Sequence, residues 1–257
     1  MRVEYVKPKC REGHMPSSII DYRQLIDKPW GRMFYDVIFR QLDLPNEIPL
    51  KILDFGAGFC VTADHYAKHH SVTAVEPDRE MLDLSIHDNH FELIHGGVEA
   101  LSRYADNTFD IVICHNVLEY ASDKELILQE LARVLKQGGT LSIVKHNLPG
   151  RAMAYAVFSD DPKAALDLLD GGDGDNSMFG KRDTYEDEYI IKSGKKCGLS
   201  LEALLGIRTF FALSKNNGVK FTQEWYEDML ALEMRTCNSD IYKSISFFHH
   251  LIFQKKK

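Results

Sequence analysis

The chain has 257 residues, 44% hydrophobic and 27% charged. That is room for one large α/β domain with an inserted subdomain and too little for two full-sized enzymatic domains. No run approaches the roughly 18 apolar residues that span a bilayer, Met1–Glu12 lacks the basic-then-apolar pattern of a signal peptide, and the expected location is therefore the cytosol. A formal net charge of −7 excludes gathering nucleic acid by bulk electrostatics, so any RNA contact needs a local basic patch.

Helices are expected over Ser17–Asp27 and Gly31–Leu42, the second with an apolar face from Phe34, Val37, Ile38 and Leu42. Pro45 and Pro49 close this cap. From there strand and helix alternate. Strands are expected at Lys51–Phe55, Ser71–Glu76, Phe91–His95, Phe109–Cys114 and Thr140–Lys145. Between them lie helices at Val61–His70, Asp78–Ile86, Glu99–Tyr104 and Asp123–Lys136, the last stopped by Gly138-Gly139. This rhythm means βαβ units and a mostly parallel sheet. A helix at Arg151–Asp170 and an acidic loop, Gly171–Asn176, follow. A helix at Thr184–Cys197, a strand at Leu199–Thr209, a helix at Thr222–Arg235 and a closing strand at Ser246–Gln254 complete the pattern. The reading is a single domain: a helical cap over 1–49, a ligand-binding core over 50–148, a substrate-side insertion and helix over 149–198, and completion of the sheet over 199–257.

Five scattered cysteines (Cys10, Cys60, Cys114, Cys197, Cys237) form no C-x-x-C pair and read as reduced packing thiols. His69-His70 and His249-His250 are adjacent pairs. Neighbours in a strand face opposite ways, so neither pair reads as a metal site, and no metal is expected.

The most informative stretch is Asp54-Phe55-Gly56-Ala57-Gly58, where an apolar strand runs through an acid into glycines and then a helix. Glycines suit a sharp turn against which a ligand lies without room for Cβ. The Asp54 carboxylate is placed to hold the turn and attract the ammonium of a bound amino-acid moiety. A dinucleotide fold is the rival, but it prefers G-x-G-x-x-G, and here position 61 is Val. Glu76 ends the second strand about 20 residues on, the spacing at which an acid meets ribose hydroxyls. Gly97-Val98-Glu99 follows the third strand, where an adenine would lie, and His115 follows the fourth, in the crevice at the carboxyl ends of the strands. A packed loop histidine is the alternative for His115.

Leu53-Asp54-Phe55-Gly56-Ala57-Gly58, Glu76-Pro77-Asp78, Phe109-Asp110-Ile111-Val112 and Leu135-Lys136-Gln137-Gly138-Gly139 resemble, in sequence and order, motifs of the class I S-adenosylmethionine-dependent methyltransferases. The resemblance implies a Rossmann-like α/β fold with a seven-stranded, mostly parallel sheet, and S-adenosylmethionine as methyl donor. A narrower resemblance, to the tRNA 5-carboxymethoxyuridine methyltransferase family, covers nearly the whole chain. It is carried by Cys114–Tyr120, Leu141–Asn147, Leu230–Cys237 and the closing strand with His250. By that resemblance Arg32 meets the cofactor's carboxylate, Val98, Glu99 and His115 contact the cofactor, and Arg235 meets the carboxylate of the substrate. Cys60 stands where a third glycine is common, Thr236 and Asn238 replace an aromatic residue and an arginine, and Lys181 and Arg182 are what is left of a basic cluster.

Methyl transfer from a sulfonium is an in-line displacement whose electrophile is already activated, so the protein mainly aligns the partners. A carboxylate nucleophile is ionised at neutral pH and needs no general base. It needs a clamp, for which Arg235 has bidentate geometry, with His115 or Tyr120 contributing orientation. The cofactor set is then Arg32, Asp54, Gly56, Ala57, Gly58, Glu76, Pro77, Val98, Glu99 and His115. The acceptor is expected to be a wobble-uridine carboxylate of tRNA. The alternatives are a small-molecule acceptor, favoured by the acidic charge, and a non-catalytic module using the nucleotide fold for partner contacts. No membrane partner is expected, and the sequence leaves the oligomeric state open.

Overall fold

The computed structural model describes residues 19–172 and 183–256. Cys10, Ser17, Asp173–Asn176, Lys181 and Arg182 lie outside them. Two helices open the described chain, α1 (Ile19–Ile26) and α2 (Pro29–Gln41). Pro29 starts α2, where a missing N–H costs no hydrogen bond. Met33, Phe34, Val37 and Ile38 recur at helical spacing and are all buried.

The alternating core follows as β1 (Lys51–Phe55), α3 (Val61–Ala67), β2 (Ser71–Glu76), α4 (Arg79–Asp83), β3 (Glu92–His95), β4 (Phe109–His115), α5 (Lys124–Val134) and β5 (Leu135–His146). Asp78 caps α4 by accepting from the Glu80 and Met81 amides, and Asp123 caps α5 from the Leu126 amide. The segment Val98–Arg103 is a 3-10 turn in place of the expected helix.

Gly138-Gly139 does not stop α5. The helix gives way at Leu135, whose backbone is already extended, and β5 begins there. Leu135 pairs with Phe109, and the register then shifts before Ile111 meets Thr140. Gly138 takes φ +76° inside that irregularity, and a Cβ on Gly139 would come within 2.8 Å of the Asp110 carbonyl oxygen. The glycines serve a bulge beside β4.

After β5 come α6 (Leu148–Met153), a wide π turn (Ala154–Phe158) and α7 (Pro162–Leu169). The single helix expected over Arg151–Asp170 is broken, because Asp160 is left-handed at φ +52° and Asp161 caps a new helix that starts on Pro162. Then follow α8 (Asp187–Lys196), β6 (Leu199–Ile207), α9 (Gln223–Thr236), α10 (Asp240–Lys243) and β7 (Phe248–Lys255).

Among the described residues seven strands form one sheet in the order β3-β2-β1-β4-β5-β7-β6. Only β7 is antiparallel to its neighbours. The fold is thus the Rossmann-like, mostly parallel arrangement read from the sequence. One face buries Leu53, Val112, Leu141 and Leu251 under α5 and α8. The other buries Ile52, Ile113 and Val144 under α2, α3 and α9. Among the described residues no helix is long and apolar enough to cross a membrane.

His249 lies on the α8 face. Its Nδ1 is 2.6 Å from Asp187 Oδ2, and Lys145 of β5 donates to Asp187 Oδ1 at 3.1 Å. Burial raises the Asp187 carboxyl, but the hydrogen bond and charge of His249, then Lys145, outweigh it and hold the group below the usual aspartate range. The resulting stability is complete above the ordinary aspartate value of about 3.9 and is lost as pH falls through the lower folded value. Asp187→Asn leaves two buried donors short of a charge and is expected to cost about 3 kcal/mol near neutrality. In thermal melts taken across pH, the gap between wild type and variant should hold down to about pH 4 and close below it. A gap that widens in acid would contradict the assignment.

Candidate active site

The carboxyl ends of β1 and β2 meet in one braced loop. The amides of Gly56 and Ala57 both donate to the Val75 carbonyl, at 2.8 and 3.1 Å. Glu76 then spans the two loops: its Oε2 accepts from the Gly58 amide and its Oε1 from the Asp78 amide, each at 2.8 Å. Burial raises the Glu76 carboxyl, against the lowering effect of these two N–H groups. Each oxygen retains a second lone pair, so a ribose diol remains compatible with this brace.

Gly56 and Gly58 take φ +75° and +56°. A Cβ on Gly56 would fall 2.2 Å from Val117 Cγ2, so the glycine loop and the loop after β4 close on each other. Cys60, where a third glycine is common, is itself left-handed at φ +62° and fully buried. Its small side chain is accommodated at some backbone strain.

Asp54 is 3% exposed on the α3 face of β1. Burial pushes its carboxyl up to about 7, against an N–H from Ala63 that lowers it, with Glu76 raising it further. Its Oδ2 is buried without a hydrogen-bond partner. Such an oxygen calls for a donor or a cation from a ligand. A loop without room for a Cβ beside an unmet buried carboxylate fits the amino-acid end of a sulfonium nucleoside.

His115 ends β4 on the same face. Its Nε2 is 2.7 Å from Ser142 Oγ, and its Nδ1 is buried and unpartnered, as is Asn116 Oδ1. Tyr120 is half-buried in the turn that follows. Pro77 is exposed, with its carbonyl 3.0 Å from His95 Nε2. Val98 packs on the core.

Asp54, Gly56, Ala57, Gly58, Glu76 and His115 therefore gather at the ends of β1, β2 and β4. Three other expected residues are engaged differently. Arg32 lies over the Tyr226 ring of α9, 4.7 Å from its centroid. Glu99 is exposed and accepts from the Gly97 amide at 2.7 Å. Arg235 is exposed in the last turn of α9. The carboxylates nearest Arg235 in sequence bond elsewhere: Glu233 accepts from the amides of Thr209, Phe210 and Phe211, and Asp240 pairs with Lys243.

Sequence reasoning missed a second group beyond β5. Arg208, at the carboxyl end of β6 with φ +59°, sets its guanidinium 5.4, 5.3 and 5.8 Å from the rings of Phe211, Phe247 and Phe248. Lys220, only 3% exposed, lies 4.6 Å from Phe211 and 4.9 Å from Phe158. Arg151 of α6 is 4% exposed. The sole local signal was aromatic density around the two cations, in Arg208-Thr209-Phe210-Phe211 and Ser246-Phe247-Phe248.

The fold is the Rossmann-like arrangement of the class I methyltransferases. Residues 53–143 match the family model described as a methyltransferase domain. The chain is 24% identical over 221 residues to the tRNA 5-carboxymethoxyuridine methyltransferase of Escherichia coli K12, covering 80% of each. It is 27% identical over 194 residues to the ubiquinone biosynthesis O-methyltransferase of Coxiella burnetii, covering 69% of this chain and 79% of that one. In structure it resembles an S-adenosylmethionine-dependent methyltransferase of Thermotoga maritima, with TM-score 0.61, 17% identity, and coverage of 93% and 96% of the two chains. It also resembles one of Archaeoglobus fulgidus, with TM-score 0.55, 14% identity, and coverage of 91% and 94%. The protein is an S-adenosylmethionine-dependent methyltransferase.

Two substitutions test the loop. Gly56→Ala adds both a clash and left-handed strain, and calorimetry should show loss of S-adenosylmethionine binding. Adding Val117→Ala should restore only part, since the backbone strain remains. Glu76→Gln puts an NH2 where one backbone N–H must donate, and affinity should fall by about one to two decades. Unchanged affinity in both would place the cofactor elsewhere.

Proposed function

We propose that the enzyme methylates a carboxylate carried by a modified wobble uridine of tRNA, acting in the cytosol. The observation that carries this reading is the pair of cations at the carboxyl end of β6. Arg208, just past the carboxyl end of the outermost strand β6, and Lys220 share the Phe211 ring. Cations held on aromatic faces give this end of the sheet positive potential, which Arg208 shares with the nearby Glu233 carboxylate. The similarity to the Escherichia coli enzyme supports a carboxylate on RNA as that anion.

The division of labour follows from the chemistry. S-Adenosylmethionine supplies an activated methyl group. Asp54, the glycine loop and Glu76 hold the donor. The cationic side, with Arg235 of α9 as a further clamp, aligns the acceptor carboxylate, which is already ionised and needs no base. Tyr120, in the turn after β4, contributes orientation.

A small-molecule acceptor is the second reading. It is favoured by the net charge of −7 and by the similarity to the ubiquinone-pathway enzyme. Incubation with radiolabelled cofactor and either total small RNA or a metabolite extract separates the two. Label is expected in the RNA and should be released by mild base, as an ester is. Label confined to metabolites would overturn the proposal. Arg235→Ala should keep cofactor affinity within about twofold and cut methyl transfer about a hundredfold, with Arg235→Lys recovering little. Wild-type turnover in Arg235→Ala would remove that residue from the acceptor site.

A further inference from the structure

A chain of buried polar side chains crosses the α2 face of the sheet. His115 Nε2 lies 2.7 Å from Ser142 Oγ, and Ser142 Oγ lies 2.7 Å from His250 Nε2. His250 Nδ1 lies 2.8 Å from Gln41 Oε1, and Gln41 Nε2 donates to the Gly206 carbonyl at 2.9 Å. Ser142 and His250 are fully buried.

The far end fixes every proton in this chain. A carbonyl oxygen only accepts, so the Gln41 group facing Gly206 is its NH2, and its oxygen faces His250. His250 therefore carries its proton on Nδ1 and accepts on Nε2 from the Ser142 hydroxyl. The Ser142 oxygen must then accept from His115, which carries its proton on Nε2. The reverse polarity would set the Gln41 oxygen against the Gly206 oxygen. Both rings are neutral: burial pushes His250 down to about 3, and burial together with the neighbouring His250 holds His115 well below the usual histidine range. His115 Nδ1 is left as a bare lone pair, buried and unpartnered.

That lone pair is on the face of the unmet Asp54 oxygen. Asp54 is paired with Ile113 across β1 and β4, and His115 is one pleat further toward the carboxyl edge. The adjacent Asn116 contributes a third unpartnered acceptor, its Oδ1. A group with several N–H donors and a positive charge is complementary to such a set. We propose that Gln41, His250 and Ser142 are positioning residues that lock His115 as an Nδ1 acceptor for the α-ammonium of the cofactor's amino-acid moiety. This rests on the cofactor lying at the ends of β1 and β4.

The test reads tautomer and binding, not turnover. The chain is labelled with ¹⁵N-histidine, and the ring nitrogens of His115 are assigned by comparison with His115→Gln. Long-range ¹H–¹⁵N spectra should show a protonated Nε2 and a bare Nδ1 in the ligand-free chain. S-Adenosylhomocysteine, which carries the ammonium, should move Nδ1 as it accepts a hydrogen bond. 5′-Methylthioadenosine, which lacks the amino-acid portion, should bind and leave Nδ1 in place.

A proton on Nδ1 in the ligand-free chain would overturn the proposal. So would an Nδ1 that ignores S-adenosylhomocysteine, or one that responds equally to both ligands. Ser142→Ala should mix the two tautomers and weaken S-adenosylhomocysteine by about tenfold, leaving 5′-methylthioadenosine within about twofold. Equal weakening of both ligands would mark Ser142 as merely structural. Should the variant not fold, the ligand pair on the wild-type chain decides alone. If neither ligand binds, the cofactor site itself is misplaced and the proposal falls with it.

Discussion

A sheet covered by helices on both faces offers no water to a polar side chain in its middle, so each such group must find its partner inside the protein. That constraint sets much of this molecule. β7 runs antiparallel between β5 and β6, and its neighbours His249 and His250 point to opposite faces. His249 binds the Asp187 of α8 on one side, and His250 joins Ser142 and Gln41 of α2 on the other. One dipeptide thereby ties both helical layers to β7. Since His250 also passes its hydrogen-bond polarity to His115, the packing of the late strand reaches the end of β4.

Carboxylates do the same work at the edge where the strands end. Glu76 joins the loops after β1 and β2 through two backbone amides. Glu119, fully buried, takes the backbone amide and ring Nδ1 of His146, tying the loop after β4 to the end of β5. Glu233 takes three amides at the end of β6. Ionised acceptors on backbone N–H groups are among the stronger hydrogen bonds, and here they stiffen loops that would otherwise be the least ordered parts of an α/β fold. Asp54 differs, because one of its oxygens is unmet. The contrast singles it out: both oxygens of Glu76, Glu119 and Glu233 accept hydrogen bonds within the protein, and one oxygen of Asp54 does not.

The legible part of the fold was local. Alternating strands and helices, the Asp-x-Gly-x-Gly loop and Glu76 at the end of β2 are patterns within a few dozen residues, and the sheet topology and cofactor class followed from them. Misreadings arose where backbone geometry overrode pattern. Gly138-Gly139 has the composition of a helix stop, but the pairing of Leu135 with Phe109 drew the chain into a strand before it. Asp160 breaks a helix through a positive φ that its residue type does not demand. Gln41 and His250 are 209 positions apart, and no periodicity in a single sequence announces that pair. Arg208 and Lys220 were passed over for a related reason: their meaning comes from rings contributed by three different segments.

Net charge and local charge answer different questions in this protein. A formal charge of −7 weakens long-range attraction of a polyanion, and screening over about 8 Å at physiological salt removes most of what would remain. Lys220 is almost wholly enclosed, and Arg208 is half-buried against three rings. Salt reaches such groups poorly, and their fields act over a few ångströms. On the proposed reading the chain does not collect RNA by its surface. It discriminates at one buried anion, and the affinity lost through the acidic exterior is offset by specificity at the reacting group. On that reading a cationic acceptor side lined by aromatic rings favours a charged group over a neutral one of the same shape, so charge at the acceptor discriminates more strongly than size.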